Sequence, residues 1–175
     1  HFALGNEEIF MTSKLEGNDT EFLPFNKDII NPVNPNGHKV SYFWEGLLQK
    51  NQILDIIQNY LFIREDINRY DNTKKEILIF PRYHQIDAIN KIKKEIKISE
   101  SGKKFLIQHS TGSGKSYTIA WLAFQFLTLF KNDNSRYFDS ILIVTDRKSI
   151  DRHLTKTLRS LNQDYGLVHA TERED

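Results

Sequence analysis

The chain has 175 residues and 20.6 kDa, with 39% hydrophobic and 27% charged residues. That composition supplies a core and excludes wholesale disorder. Lys plus Arg (24) nearly cancels Asp plus Glu (23), so net charge alone names no partner. No cysteine is present, which excludes disulfide scaffolds, thiolate metal sites and cysteine nucleophiles and suits a reducing compartment. The longest apolar run, Ile119 to Phe130, contains Gln125 and Thr128 and is too short to span a bilayer. It also lies mid-chain, so it is no signal peptide. The chain opens on His1 and closes on Glu172-Arg173-Glu174-Asp175, and it is read as an excerpt of a longer protein.

Charge divides unevenly: residues 1–75 hold 8 basic and 11 acidic side chains, residues 76–175 hold 16 and 12. Phe2 to Leu15 predicts a hairpin, two short β-prone segments around a turn at Gly5-Asn6. Thr20 to Leu23 reads as a further extended piece ended by Pro24. Asn31-Pro32-Val33-Asn34-Pro35-Asn36-Gly37 is a loop by turn chemistry. From Tyr42 the period turns helical. Phe43, Leu47 and Leu48 share a face; after Asn51, expected as an N-cap, so do Ile53, Ile56, Ile57, Tyr60 and Leu61. The charged stretch from Arg64 to Lys75 reads as a linker.

The second half alternates strand and helix. Ile77 to Phe80 is a short extended run stopped by Pro81, and Arg82 to Ile98 is helical with Ile86, Ile89, Ile92 and Ile96 on one side. Phe105 to Gln108 predicts a buried strand, followed by a Gly/Ser/Thr loop and an apolar helix from Ser116 to Phe130. Ile141 to Val144 predicts a second strand, Ser149–Leu161 a helix, and Tyr165–His169 a third strand. Apolar strands alternating with helices predict an α/β fold, a parallel sheet covered on both faces.

His109-Ser110-Thr111-Gly112-Ser113-Gly114-Lys115-Ser116 lies between a predicted strand and a predicted helix, the setting a phosphate-binding loop requires. Gly112 and Gly114 let the backbone turn so that N–H groups converge on phosphates, and the helix N-terminus adds partial positive charge. Lys115 is expected to bridge the β- and γ-phosphates of ATP, and the Ser116 hydroxyl to ligate Mg²⁺. The general pattern begins with glycine where this chain has His109, while the Thr111-Gly112-x-Gly114-Lys115-Ser116 core is intact. A flexible turn capping a helix is the bland alternative.

Upstream, Arg82-Tyr83-His84-Gln85 opens a helix. A glutamine amide can pair with both N6 and N7 of adenine, so Gln85 is a candidate adenine reader, with Tyr83 or Phe80 as a stacking surface. The bland alternative is a solvated helix glutamine. Downstream, Val144-Thr145-Asp146-Arg147 precedes a basic stripe of Lys148, Arg152, Lys156 and Arg159 opposite Ile150, Leu154, Leu158 and Leu161. Thr145, Arg147, Lys148 and Arg152 are candidate nucleic-acid backbone contacts, against an ordinary solvated helix face. Glu95-Ile96-Lys97 and Asp146-Arg147-Lys148 match half of a metal-nuclease motif by chance spacing, and no histidine has metal-ligand spacing.

Together these motifs resemble the R (motor) subunit of type I restriction–modification enzymes, a superfamily 2 helicase-like ATPase. In that family a His commonly stands at the position of His109. The resemblance extends to the first half, through His1-Phe2-Ala3-Leu4, Ile9 to Leu15, Phe22 to Lys27, and Asn31-Pro32 through Tyr42-Phe43-Trp44-Glu45. It implies a cytoplasmic complex with methyltransferase (M) and specificity (S) subunits that hydrolyses ATP to translocate double-stranded DNA and then cleaves it. It implies residues 1–48 as the C-terminal part of a nuclease-like domain, 49–76 as a helical connector, and 77–175 as the N-terminal half of the first RecA-like domain. Nuclease carboxylates are expected before His1 and the acidic Walker B box after Asp175. Two alternatives stay open: a helicase-like ATPase without a nuclease, and a non-hydrolysing nucleotide-binding or interaction module.

Overall fold

The computed structural model describes residues 1–67, 73–99, 102–146 and 148–161. The chain divides into two compact units, His1–Ala88 and Ile89–Asp175. In the first, β1 (Phe2–Leu4) and β2 (Ile9–Met11) form the expected antiparallel hairpin, with Gly5 N–H donating to the Glu8 carbonyl at 2.9 Å. β3 is only Leu23–Pro24 and pairs with the free side of β2. Alternation along β2 sends Ile9 and Met11 into the core.

A buried asparagine ties the following loop to this sheet. Asn31 donates to the Glu7 carbonyl (2.8 Å) and to Asn26 Oδ1 (3.0 Å), and accepts from Lys27 N–H (2.8 Å). Asn26 Oδ1 also accepts from Ile9 N–H at 2.9 Å, so the loop's polar groups are satisfied inside.

The helical period from Tyr42 becomes one π-helical turn, Phe43–Leu47, and then α1 (Lys50–Asn59). Gln49, not Asn51, stands at the cap of α1: its carbonyl accepts the Ile53 N–H at 2.9 Å, while Asn51 lies within the helix. Around this scaffold Phe2 meets Phe25, Phe43 and Phe80 at ring-centroid distances of 5.3, 4.8 and 5.6 Å. Tyr83 joins through Phe25 (6.0 Å) and Tyr42 (5.0 Å), mostly edge to face. The Tyr42 hydroxyl donates to the Phe25 carbonyl at 2.9 Å, and burial pushes its phenol up to about 12.

The expected linker at 64–75 is instead built into an antiparallel pair, β4 (Phe62–Ile67) and β5 (Lys74–Ile79). β5 takes in the expected extended run from Ile77 and ends at Ile79, while the charges at 64–66 and 74–76 conceal the rest of the pair from binary patterning. Cross-strand chemistry compensates: Asp66 faces Lys75, and Lys74 Nζ reaches Glu65 at 3.2 Å.

α2 (Tyr83–Ser99) begins in the first unit and runs into the second, burying Ile86, Ile89, Ile92 and Ile96 as its period predicts. In the second unit Ile92 and Ile96 pack with Leu129, Leu122, Phe126, Tyr137 and Phe138. α3 (Lys115–Leu127) packs on α4 (Lys148–Leu161) through Ala120, Leu154 and Leu158, with Phe124 and Ile143 beside them. α3 stops before the expected Phe130. Asn132-Asp133-Asn134-Ser135 closes a turn, with Asn134 at φ 64°, and Phe130 bridges to Arg136.

Neither Phe105–Gln108 nor Ile141–Val144 joins a β ladder among the described residues, where both sheets are antiparallel. A strand exists through its neighbour, and none of the described segments pairs with these two. Along 141–146 exposure nonetheless alternates: Ile143 packs on the helices while Leu142 and Val144 are 88% and 82% exposed. The expected strand at Tyr165–His169 lies outside the described residues. No helix is long and apolar enough to cross a membrane among them.

Phe25 has no exposed surface and joins three rings. Phe25→Ala is expected to lower the stability of the first unit by about 3–5 kcal/mol. A urea unfolding midpoint unchanged from the parent chain would refute that packing.

Candidate functional site

The Gly/Ser/Thr segment is a turn set on the N-terminus of α3. Gly112 has φ +76° and Gly114 φ +82°, a region where L side chains are strained, so conformation requires glycine at both; at Gly112 a Cβ would meet open space. Ser113 N–H donates to the Ser110 carbonyl at 3.3 Å, closing the turn. Gly114 caps the helix: its carbonyl accepts the N–H groups of Tyr117 (3.0 Å) and Thr118 (3.2 Å). Helix geometry leaves first-turn N–H groups without an intrahelical acceptor, and here they crown a 13-residue dipole.

Lys115, first residue of that helix, folds back over the loop. Its Nζ donates to the carbonyls of Ser110 (2.8 Å) and His109 (3.2 Å) and is otherwise exposed. Sequence gave no signal for these acceptors, because they are backbone groups. Ser116 is half-buried on the same turn, Thr111 and Gly112 are exposed, and Ser113 is buried beneath. The His109 imidazole is held below the ordinary histidine range, first by burial and then by the Lys115 charge. Acidification through that range therefore disfavours this arrangement, since the unfolded chain binds the proton more tightly.

The residues fit a nucleotide polyphosphate and Mg²⁺ by donor chemistry. The loop offers an exposed ammonium, a hydroxyl and a helix N-terminus on left-handed glycines.

Gln85 lies in the other unit and has a structural task that the sequence reading missed. Its Oε1 accepts the Arg82 N–H at 2.8 Å, while the Arg82 carbonyl accepts the N–H groups of Gln85 and Ile86. This is the glutamine half of a capping box, and the spacing from Arg82 to Gln85 was the available signal. Gln85 is buried rather than solvated. Tyr83 and Phe80 belong to the aromatic cluster, where burial raises the Tyr83 phenol.

Of the candidate nucleic-acid contacts, Thr145 is half-buried at the end of the 141–146 segment, and Lys148 and Arg152 are exposed on α4. Arg152 Nε donates to the Lys148 carbonyl at 3.4 Å. Arg147 lies outside the described residues.

Comparison with known families places the second half of the chain among helicase-like restriction-enzyme domains. The profile of the family described as "Type III restriction enzyme, res subunit" matches residues 78–174, and the chain belongs to that family. The resemblance to restriction-enzyme R subunits extends to two proteins of Methanocaldococcus jannaschii. One carries the name type I restriction enzyme MjaVIIP endonuclease subunit and is 36% identical over 109 residues, 61% of this chain. The other carries the name type I restriction enzyme MjaVIIIP endonuclease subunit and is 29% identical over 130 residues, 72% of this chain. Those matches cover 10% and 12% of the relatives, so the chain spans about a tenth of their length. No solved structure matches the chain.

Lys115→Met removes the positive charge beside His109, which favours the imidazolium, so the His109 titration should move upward. Ring-proton NMR would detect it; an unmoved titration would place the Lys115 charge elsewhere.

Proposed function

We propose that the chain is the nucleotide-binding part of an ATP-driven DNA translocase within a type I restriction enzyme, cytoplasmic and assembled with M and S subunits. The observation that carries this reading is the pair of left-handed glycines placing Lys115 and Ser116 on the first turn of α3. On this reading the loop from His109 to Ser116 holds the phosphates of ATP. The Lys115 ammonium exchanges its contacts to the His109 and Ser110 carbonyls for β- and γ-phosphate oxygens. A phosphate oxygen is the stronger acceptor because the hydrogen bond is charge-assisted from both sides. Ser116 Oγ would ligate Mg²⁺, which supplies neutralisation of charge on the phosphates. As γ-phosphoryl transfer proceeds, Lys115 stabilises the developing charge without further reorganisation.

The 105–108 and 141–144 segments are, on the same reading, strands of a RecA-like parallel sheet that is shared with further strands of the parent protein. Residues 1–48 would come from the end of a nuclease-like domain and 49–76 from a connector. Thr145, Arg147, Lys148 and Arg152 contact the backbone of double-stranded DNA. Arg82, Tyr83 and Gln85 flank the adenine, with the Gln85 amide reading N6 and N7.

Lys115→Ala should lower ATP affinity by at least about tenfold, the value of one lost charged hydrogen bond, and abolish ATP turnover in the parent subunit. Wild-type turnover in that variant would overturn the assignment. Capping and adenine reading separate in Gln85→Glu. Glutamate keeps an acceptor for the Arg82 N–H but loses the donor for adenine N7. Expected is loss of ATP-over-GTP preference in a variant that keeps its helix content by circular dichroism; a retained preference would reduce Gln85 to a helix cap.

A further inference from the structure

Resting on the reading that this chain contacts DNA, we infer that α4 as a whole is a phosphate-reading ladder, with Lys156 and Arg159 as further contacts beyond Lys148 and Arg152. All four cations are exposed. At 3.6 residues per turn they fall within an arc of about 80° on one side of the helix. Leu154, Thr157 and Leu158, on the opposite side, are buried, and both leucines pack with Ala120 of α3. The helix sequence sets four Lys/Arg residues against one acid, Asp151.

Length fits as well as sign. From Lys148 to Arg159 the helix rises about 16 Å, in steps of roughly 5–6 Å between cations. One strand of B-DNA presents a charge about every 3.4 Å along its axis, so four cations spread over about 16 Å face a run of roughly five phosphates. Such contacts position a protein on a duplex without reading its sequence, which suits a surface that must engage any sequence.

A basic amphipathic helix can instead lie on an anionic membrane, but that mode inserts the apolar face. Here Leu154 and Leu158 are committed to α3 and Leu161 packs beside them, which leaves Ile150, 39% exposed, as too small an apolar surface to insert. Two cation types share the ladder. Arg152 and Arg159 can grip phosphate oxygens with two N–H groups, while Lys148 and Lys156 act as point charges.

The experiment is fluorescence anisotropy of the full chain with two DNA duplexes of unrelated sequence, across a series of salt concentrations. Each phosphate contact contributes about 0.9 to the slope of log affinity against log salt. The double variant Lys156→Gln/Arg159→Gln should make that slope shallower by about 1.8, equally on both duplexes. Glutamine preserves helix propensity, and an unchanged circular-dichroism melt checks the fold. Lys156→Arg/Arg159→Lys keeps both charges and should keep the slope.

If the wild-type chain binds both duplexes and the glutamine variant shows the same slope, the ladder is overturned while the Thr145, Lys148 and Arg152 contact survives. Failure of the wild-type chain to bind duplex DNA at low salt would overturn both. A loss confined to one sequence, or binding of duplex RNA or anionic vesicles in preference to DNA, would also overturn the ladder.

Discussion

Two backbone conformations govern the candidate site. Gly112 and Gly114 both sit at positive φ, and the chain turns there to set Lys115 and Ser116 on the first turn of α3. A side chain at either glycine would strain the turn and move those two groups. The turn would in turn lose its purpose without α3. That helix anchors it through Ala120, Trp121 and Ala123, all buried, and through its packing on α4. The apolar middle of α3 thus holds the dipole in place while the loop supplies the donors. The Lys115 ammonium is held meanwhile by two carbonyls of the same loop, a contact that a more strongly charged acceptor can displace.

How much of this was legible depends on the period that each segment carries. α2 and α4 bury one face at helical spacing, and Ile86 through Ile96 and Leu154 with Leu158 were readable in advance. The hairpin of β1 and β2 was readable from its turn. The apolar end of β5 was readable as the extended run from Ile77, but β4 and the start of β5 were not, because Arg64-Glu65-Asp66 and Lys74-Lys75-Glu76 pair through charge and backbone. The segments 105–108 and 141–144 show the reverse failure. Their apolar runs announce strands, yet a ladder depends on a neighbouring chain segment that local sequence does not specify. At the site, the glycines and Lys115 were legible from spacing, while the carbonyls that receive Lys115 were not, since every residue carries one. Gln85 was read for its amide chemistry, and its capping bond to Arg82 passed unnoticed.

Leu106, Leu142 and Val144 are 92%, 88% and 82% exposed, an unusual load of apolar surface on ordered backbone. On the proposed reading further strands of a parent protein cover that surface; the stretches matched here make up only 10% and 12% of the two relatives. The β4–β5 pair mixes exposed charges with Ile63 and Leu78, which are 51% and 41% exposed.

The central claim is that the backbone from His109 to Ser116 receives a polyphosphate. Amide NMR of the chain during titration with ATP and Mg²⁺ tests it most directly, since each N–H in the loop reports its own acceptor. The account predicts the largest shifts at Gly112, Gly114, Lys115 and Ser116. Saturable shifts confined to other residues, with these four unmoved, would contradict it.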